Sequence, residues 1–204
     1  MAFQDCILAL DFDGVVWNSV DECFDTACKA FQSLFQVDCK QLEKPFRAGR
    51  WIVRCGGDFY VVLKLALQNP DRDWEKLDKA EFARMRDSDP QSKAFETEFY
   101  RVRAERQQNC PEQWAASQRP YAGFVAQFPE LKAAFREVVL TTTKDQQSAR
   151  MLLATAGIEV AIWAREQGTH KGDQIKDICK QRDIAATQIL FIDDLLENLE
   201  QVAP

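Results

Sequence analysis

Acidic residues gather in two short motifs of this sequence, Asp11-Phe12-Asp13-Gly14 and Asp193-Asp194. Each follows a short apolar run, Cys6 to Leu10 before the first and Gln188 to Ile192 before the second. A third run, Glu137 to Thr141, leads into Thr142, Thr143 and Lys144. Continuous apolar runs of this length fit buried parallel strands, and ligands in such folds sit beyond the carboxyl ends of the strands. With the three strands as neighbours, four carboxylates, several hydroxyls and a lysine share one crevice. Like charges 4 Å apart repel by about 4 kcal/mol at an effective dielectric of 20. Protonation or a bound cation relieves that. Oxygen-only ligands of this kind suit Mg²⁺, which takes a few carboxylates plus water and a phosphate oxygen. A carboxylate there can attack phosphorus and form an aspartyl-phosphate. A second carboxyl two residues on can protonate the leaving oxygen and later deprotonate a water.

The rest of the chain must position these groups. Its 204 residues allow one or two domains. With 46% hydrophobic and 28% charged residues it is neither disordered nor fibrous. A net charge of −6 argues against a nucleic-acid partner. No run approaches the ~20 apolar residues of a membrane span, and Met1 to Leu10 lacks the basic stretch of a signal peptide. Seven cysteines without CxxC spacing read as reduced thiols of a cytoplasmic protein. The single histidine, His170, leaves little room for a zinc site or a histidine-dependent triad.

Ser19 and Glu22 form a capping-box pattern ahead of a helix in which Val20, Phe24, Ala27, Phe31, Leu34 and Phe35 recur at helical spacing. Charge-rich, aromatic-rich sequence follows, with helices expected over 45–69, 73–86 and 91–108, the last opened by Asp89-Pro90. From Arg119 an α/β rhythm sets in. Helix is expected over 128–136, strand over 137–141, helix over 146–156 closed by Gly157, strand over 159–163, helix over 171–182 and strand over 188–192. The fold class is α/β: a Rossmann-like parallel sheet with helices on both faces and a mostly helical insertion after the first strand. The core comprises 1–17 and 119–204, the insertion 18–118.

Asp11-Phe12-Asp13-Gly14-Val15-Val16 resembles the first motif of the haloacid dehalogenase superfamily of hydrolases. Leu140-Thr141-Thr142-Thr143-Lys144 is similar to its second, Lys171 in Thr169-His170-Lys171-Gly172-Asp173 to its third, and Asp193-Asp194 with Asn198 to its fourth. All four stand in family order over about 90 residues of core. The resemblance implies a Mg²⁺-dependent phosphatase that hydrolyses a small phosphorylated metabolite. Asp11 is then nucleophile and metal ligand. Asp13 is acid/base and lends its backbone carbonyl to the metal. Thr142, or failing that Thr141, holds the phosphoryl oxygens, and Lys171 neutralises Asp11. Asp194 and Asp193 complete the metal site, the direct ligand of the two left open. The insertion resembles the helical C1-type cap of the phosphoglycolate-phosphatase-like branch.

Arg47, Arg50 and Arg54 are candidates for an anionic substrate, with Thr141, Thr143 and Asn198 near the phosphate. Lys144 reads first as a solvated lysine and second as a phosphate contact. A phosphomutase with the same nucleophile, or an idle scaffold that acts by binding, stays open, as does the oligomeric state. A signalling receiver domain is disfavoured because its acidic pair follows the first strand. The family core continues into another strand beyond its fourth motif, whereas this sequence ends at Pro204.

Overall fold

The computed structural model describes residues 3–202, so the sequence end at Pro204 lies outside it. In chain order come β1 (Phe3–Asp11), β2 (Trp17–Asn18), α1 (Val20–Phe35), α2 (Glu43–Gly49), α3 (Gly56–Gln68), α4 (Lys79–Ser88), α5 (Pro90–Asn109) and α6 (Pro111–Ala116). Then follow β3 (Arg119–Pro120), α7 (Ala122–Ala134), β4 (Phe135–Thr141), α8 (Gln146–Thr155), β5 (Ala161–Trp163), α9 (Lys171–Arg182), β6 (Ile189–Ile192) and α10 (Leu196–Val202). The chain divides into two compact units, one formed by the segments up to Ser19 and from Gln118, the other by Val20–Ser117.

The first unit is a parallel four-stranded sheet in the order β5-β4-β1-β6. Its two central strands are apolar on both faces because both faces are covered: Ile7, Leu8, Ala9, Leu10, Val138, Val139 and Leu140 are all buried. On one face Ile7, Ala9 and Val139 pack with Trp163 and with Ile175 and Ile178 of α9. Register matters most at the carboxyl ends. Asp11 pairs with Thr141, Thr141 with Trp163, and Leu10 with Ile192. The three strand exits therefore lie side by side. A two-stranded antiparallel ribbon, β2 with β3, flanks the exit loop of β1.

Several elements differ from the sequence reading. The helix expected over 73–86 is a 3₁₀ turn, Trp74–Lys76, followed by α4. The strand expected over 159–163 is only Ala161–Trp163, and α6 is not among the expected helices. The helix expected over 128–136 is α7, which starts at Ala122, and β4 begins at Phe135. Gly123 and Pro129 lower the apparent helix propensity of this stretch, yet Pro129 lies inside α7. The single helix expected over 45–69 is two. α2 ends at Gly49, a 3₁₀ turn covers Arg50–Ile52, and α3 restarts after Cys55. Asp58 directs this restart: its buried carboxylate accepts from the backbone N–H of Arg54 at 2.6 Å and of Cys55 at 3.0 Å.

The second unit is helical. Its core joins α1, α2, α3 and α5 through Phe24, Phe31, Phe46, Phe59, Tyr60, Phe95 and Phe99. Beside this apolar cluster lies Glu22, a carboxylate with no exposed surface. Arg103 grips both its oxygens, at 3.1 and 2.6 Å, and stacks on the ring of Phe99. Thr26 Oγ1 and Trp114 Nε1 donate to the same carboxylate at 2.7 and 3.1 Å. Removing one partner of a buried, hydrogen-bonded ion pair strands the other and costs about 3–5 kcal/mol. Glu22→Gln is therefore expected to destabilise this unit by that amount. Urea denaturation followed by tryptophan fluorescence measures it, and an unchanged midpoint would mean that the pair contributes nothing.

Candidate functional site

Asp11 is the last residue of β1 and is buried. Beyond it the chain turns sharply. The N–H groups of Val16 and Trp17 donate to the carbonyl of Phe12 at 3.0 and 2.8 Å, and Gly14 N–H donates to Trp17 O at 2.9 Å. Gly14 has φ +97°, and a Cβ placed on it would lie 2.3 Å from Asp194 Oδ2. Only a glycine lets the backbone pass so close to that carboxylate.

Lys171, the first residue of α9, is buried with only 1% of its side chain exposed. Its Nζ donates to Asp11 Oδ1 at 2.5 Å, to Thr141 O at 2.9 Å and to Thr141 Oγ1 at 3.3 Å. Two residues the sequence reading missed hold this helix end in place. Gln201 of α10 accepts from Lys171 N–H at 2.9 Å. Gln174, one turn into α9 and fully buried, donates to the carbonyls of Thr142 at 3.0 Å and Gly168 at 2.7 Å. Its i+3 spacing from Lys171, which puts both on one helix face, was the available signal.

Carboxylate oxygens of Asp11, Asp193 and Asp194 lie within 4.8 Å of one another. Asp193 is fixed from behind: Asn198 Nδ2 donates to both its oxygens at 3.0 Å, and Leu195 N–H to Oδ1 at 2.9 Å. Asn198 thus orients an acid of the cluster. Burial pushes the Asp11 carboxyl up to about 7 against the pull of the Lys171 ammonium, and the charges of Asp193 and Asp13 push the same way as burial. Three crowded, oxygen-only acids, with a glycine backbone packed against one of them, fit a hard divalent cation such as Mg²⁺.

The Asp13 carboxyl stands outside this trio. Its Oδ2 lies 3.5 Å from Lys144 Nζ, while its Oδ1 is buried and has no hydrogen-bond partner among the described residues. Lys144 is not the solvated lysine expected: its side chain is 8% exposed and its ammonium lies over the Phe12 ring at 5.7 Å. Thr142 is buried at the exit of β4, where its Oγ1 accepts from Lys144 N–H at 3.0 Å. Thr141 is buried against Lys171, and Thr143 is exposed.

Arg47, Arg50 and Arg54 belong to the helical unit. Arg47 pairs with Asp21 and with Glu43, the latter at 2.8 Å. Arg50 donates to Val53 O at 3.3 Å, and Arg54 to Trp51 O at 2.8 Å and Val53 O at 3.0 Å.

No family model matches the sequence, and no curated protein matches it. Solved structures do match. A haloacid dehalogenase-like family hydrolase from Streptococcus pneumoniae superposes with a TM-score of 0.62 at 13% identity, over 97% of this chain and 79% of its own. A protein from Haemophilus somnus, named a predicted phosphoglycolate phosphatase, gives 0.57 at 17% identity over 94% and 77%. CbbY from Rhodobacter sphaeroides, solved with phosphate, gives 0.53 at 15% identity over 99% and 82%. The chain has the fold of the haloacid dehalogenase-like hydrolases.

The raised Asp11 value sets a pH test. Between the ordinary carboxylate range and pH 7 the folded protein holds a proton that the unfolded chain has released. Stability therefore falls as pH rises through that window and levels off above it. A cation on Asp11 competes with this proton. Millimolar MgCl₂ is expected to raise the melting temperature more at about pH 8 than at about pH 5.5. Equal shifts at the two pH values would take Asp11 out of the ion's ligand set.

Proposed function

We propose that this protein is a Mg²⁺-dependent phosphatase that hydrolyses a small phosphorylated metabolite through an aspartyl-phosphate on Asp11. One observation carries the reading: a buried Asp11 carboxylate held between the Lys171 ammonium and the acids Asp193 and Asp194. A structural salt bridge needs no further acids beside it, and a simple cation site needs no buried lysine on one of its ligands. Together they describe a nucleophile prepared to meet a dianion. The fold supports the reading, as do the neighbours named above as a hydrolase, as a predicted phosphoglycolate phosphatase and as a complex with phosphate.

In this reading the Lys171 ammonium keeps one Asp11 oxygen oriented while the other attacks phosphorus in line with the leaving oxygen. The new bond is Asp11 Oδ–P, and the bond broken is P–O of the ester. Asp13 gives its proton to the departing oxygen. It then takes a proton from the water that attacks the phosphorus of the aspartyl-phosphate, which returns Asp11 as carboxylate and releases phosphate. The buried, unpaired Oδ1 of Asp13 is an oxygen suited to that exchange. Thr142 contributes its hydroxyl to the phosphoryl oxygens, and Lys171 offsets the charge that develops on them. Asp11, Asp193 and Asp194, with the Asp13 carbonyl, would hold Mg²⁺, which would supply positive charge at the phosphoryl group and relieve the crowding of the acids. The helical segment 18–118 serves as a cap that excludes water and selects the substrate. Seven free cysteines suit a reducing, cytoplasmic setting. Among the described residues no helix is long and apolar enough to cross a membrane.

The test is turnover of a panel of phosphate monoesters. Asp11→Asn is expected to reduce hydrolysis by at least about 10³-fold with an unchanged circular dichroism spectrum. Chelation of divalent ions is expected to silence the wild type, with recovery on adding Mg²⁺. Retained turnover in Asp11→Asn would remove the nucleophile, and metal-independent hydrolysis would remove the cation.

A further inference from the structure

Lys144 belongs to none of the roles above, yet the structure makes it a built part of the site. Its backbone is clamped on both sides: Lys144 N–H donates to Thr142 Oγ1 at 3.0 Å, and Lys144 O accepts from Arg165 N–H at 3.0 Å. That fixes where its side chain starts. The side chain then runs almost wholly buried over the face of Phe12, the residue between the two acids of the first motif, and ends 3.5 Å from Asp13 Oδ2. A long, flexible side chain loses rotamer freedom when it is buried, and the cation loses hydration, so such placement needs a compensating partner.

We propose that Lys144 is the positioning residue for Asp13. By drawing Oδ2 to itself it turns the carboxyl so that Oδ1, buried and without a partner, faces the place where a leaving oxygen departs. The two lysines then divide the work. Lys171 orients Asp11 through Oδ1, and Lys144 orients Asp13 through Oδ2. A lysine that merely added positive charge would need no clamp at its backbone and no aromatic face to lie on.

The rate test of this inference rests on the phosphatase reading, so a structural test accompanies it. kcat/KM reports only the steps up to formation of the aspartyl-phosphate, where an acid matters for a poor leaving group and hardly at all for a good one. For Lys144→Met, kcat/KM is expected to fall about 10- to 100-fold with glycerol 2-phosphate, whose leaving group is an alkoxide, and far less with p-nitrophenyl phosphate. Lys144→Arg is expected to recover most of the loss. A crystal structure of Lys144→Met is expected to show the Asp13 carboxyl in a different rotamer.

Equal losses on the two esters would mean that Lys144 acts on the phosphoryl group or on the fold, and would overturn the proposal. An unchanged kcat/KM on both esters would overturn it too, as would an Asp13 rotamer that survives the substitution. If the wild type hydrolyses no monoester of the panel the phosphatase reading falls, and the Asp13 rotamer in the variant alone decides the role of Lys144.

Discussion

A lysine and an aspartate meet out of water at the end of the central strand, and the architecture of the sheet unit follows from what that meeting requires. Lys171 and Asp11 are 160 residues apart in sequence and 2.5 Å apart in space. Each charge taken from water carries a penalty of several kcal/mol, which their attraction offsets only with good geometry and further hydrogen bonds. Those bonds come from β4, whose Thr141 offers its carbonyl and hydroxyl oxygens to the same ammonium. The Asp11–Thr141 register is thus more than strand pairing. A shift of one residue would turn Asp11 to the other face of the sheet and leave a buried ammonium without its carboxylate.

The remaining acids stand on softer ground. Among the described residues β6 stands at one side of the sheet, with Leu190 and Ile192 exposed while Ile189 and Phe191 pack inward. Asp193 and Asp194 follow it, half-buried and exposed respectively. Local bonds from Asn198 and Leu195 fix Asp193 where packing does not. Asp11 and Lys171 are thus held by the buried ends of β1, β4 and α9, whereas Asp193 and Asp194 owe their positions to local bonds in one loop and to the close approach of the Gly14 backbone. A cation bridging Asp11 to the acid pair would tie the two sets together.

What the sequence revealed and what it hid divide along the same physical line. Strands buried on both faces must be apolar throughout, so β1 and β4 show as continuous runs, and α9 shows from its spacing. The acids stand out because charge directly after such a run is conspicuous. Hidden features depend on partners far along the chain. The i+3 spacing puts Gln174 on the Lys171 face of α9, but nothing near Gln174 or Gln201 announces which groups they will hold, since their partners lie elsewhere along the chain. The break between α2 and α3 depends on Asp58 turning back to bond two backbone N–H groups, which helical periodicity does not register. α7 is longer than its glycine and proline suggest, because propensity is a weak prior against packing. Lys144 is the clearest case: a lysine after a run of threonines reads as solvated, and only the nearness of Phe12 and Asp13 makes it a buried one.

Charge balance at the site ties these observations to the proposed chemistry. Four carboxylates, Asp11, Asp13, Asp193 and Asp194, face two ammonium groups, Lys144 and Lys171, which leaves the charge that one divalent ion neutralises. Without the ion the excess falls on Asp11, the most buried of the acids, and burial together with Asp193 and Asp13 lifts its carboxyl to about 7. In the proposed chemistry a bound divalent ion would let Asp11 stay ionised, as a nucleophile must. The two ammonium groups and such an ion would together offset the four carboxylates, so the site would no longer repel a phosphate dianion as four bare carboxylates would. In the proposed function the ion that relieves the crowding of the acids would by the same charge let an acidic protein draw an anionic substrate to its most acidic point.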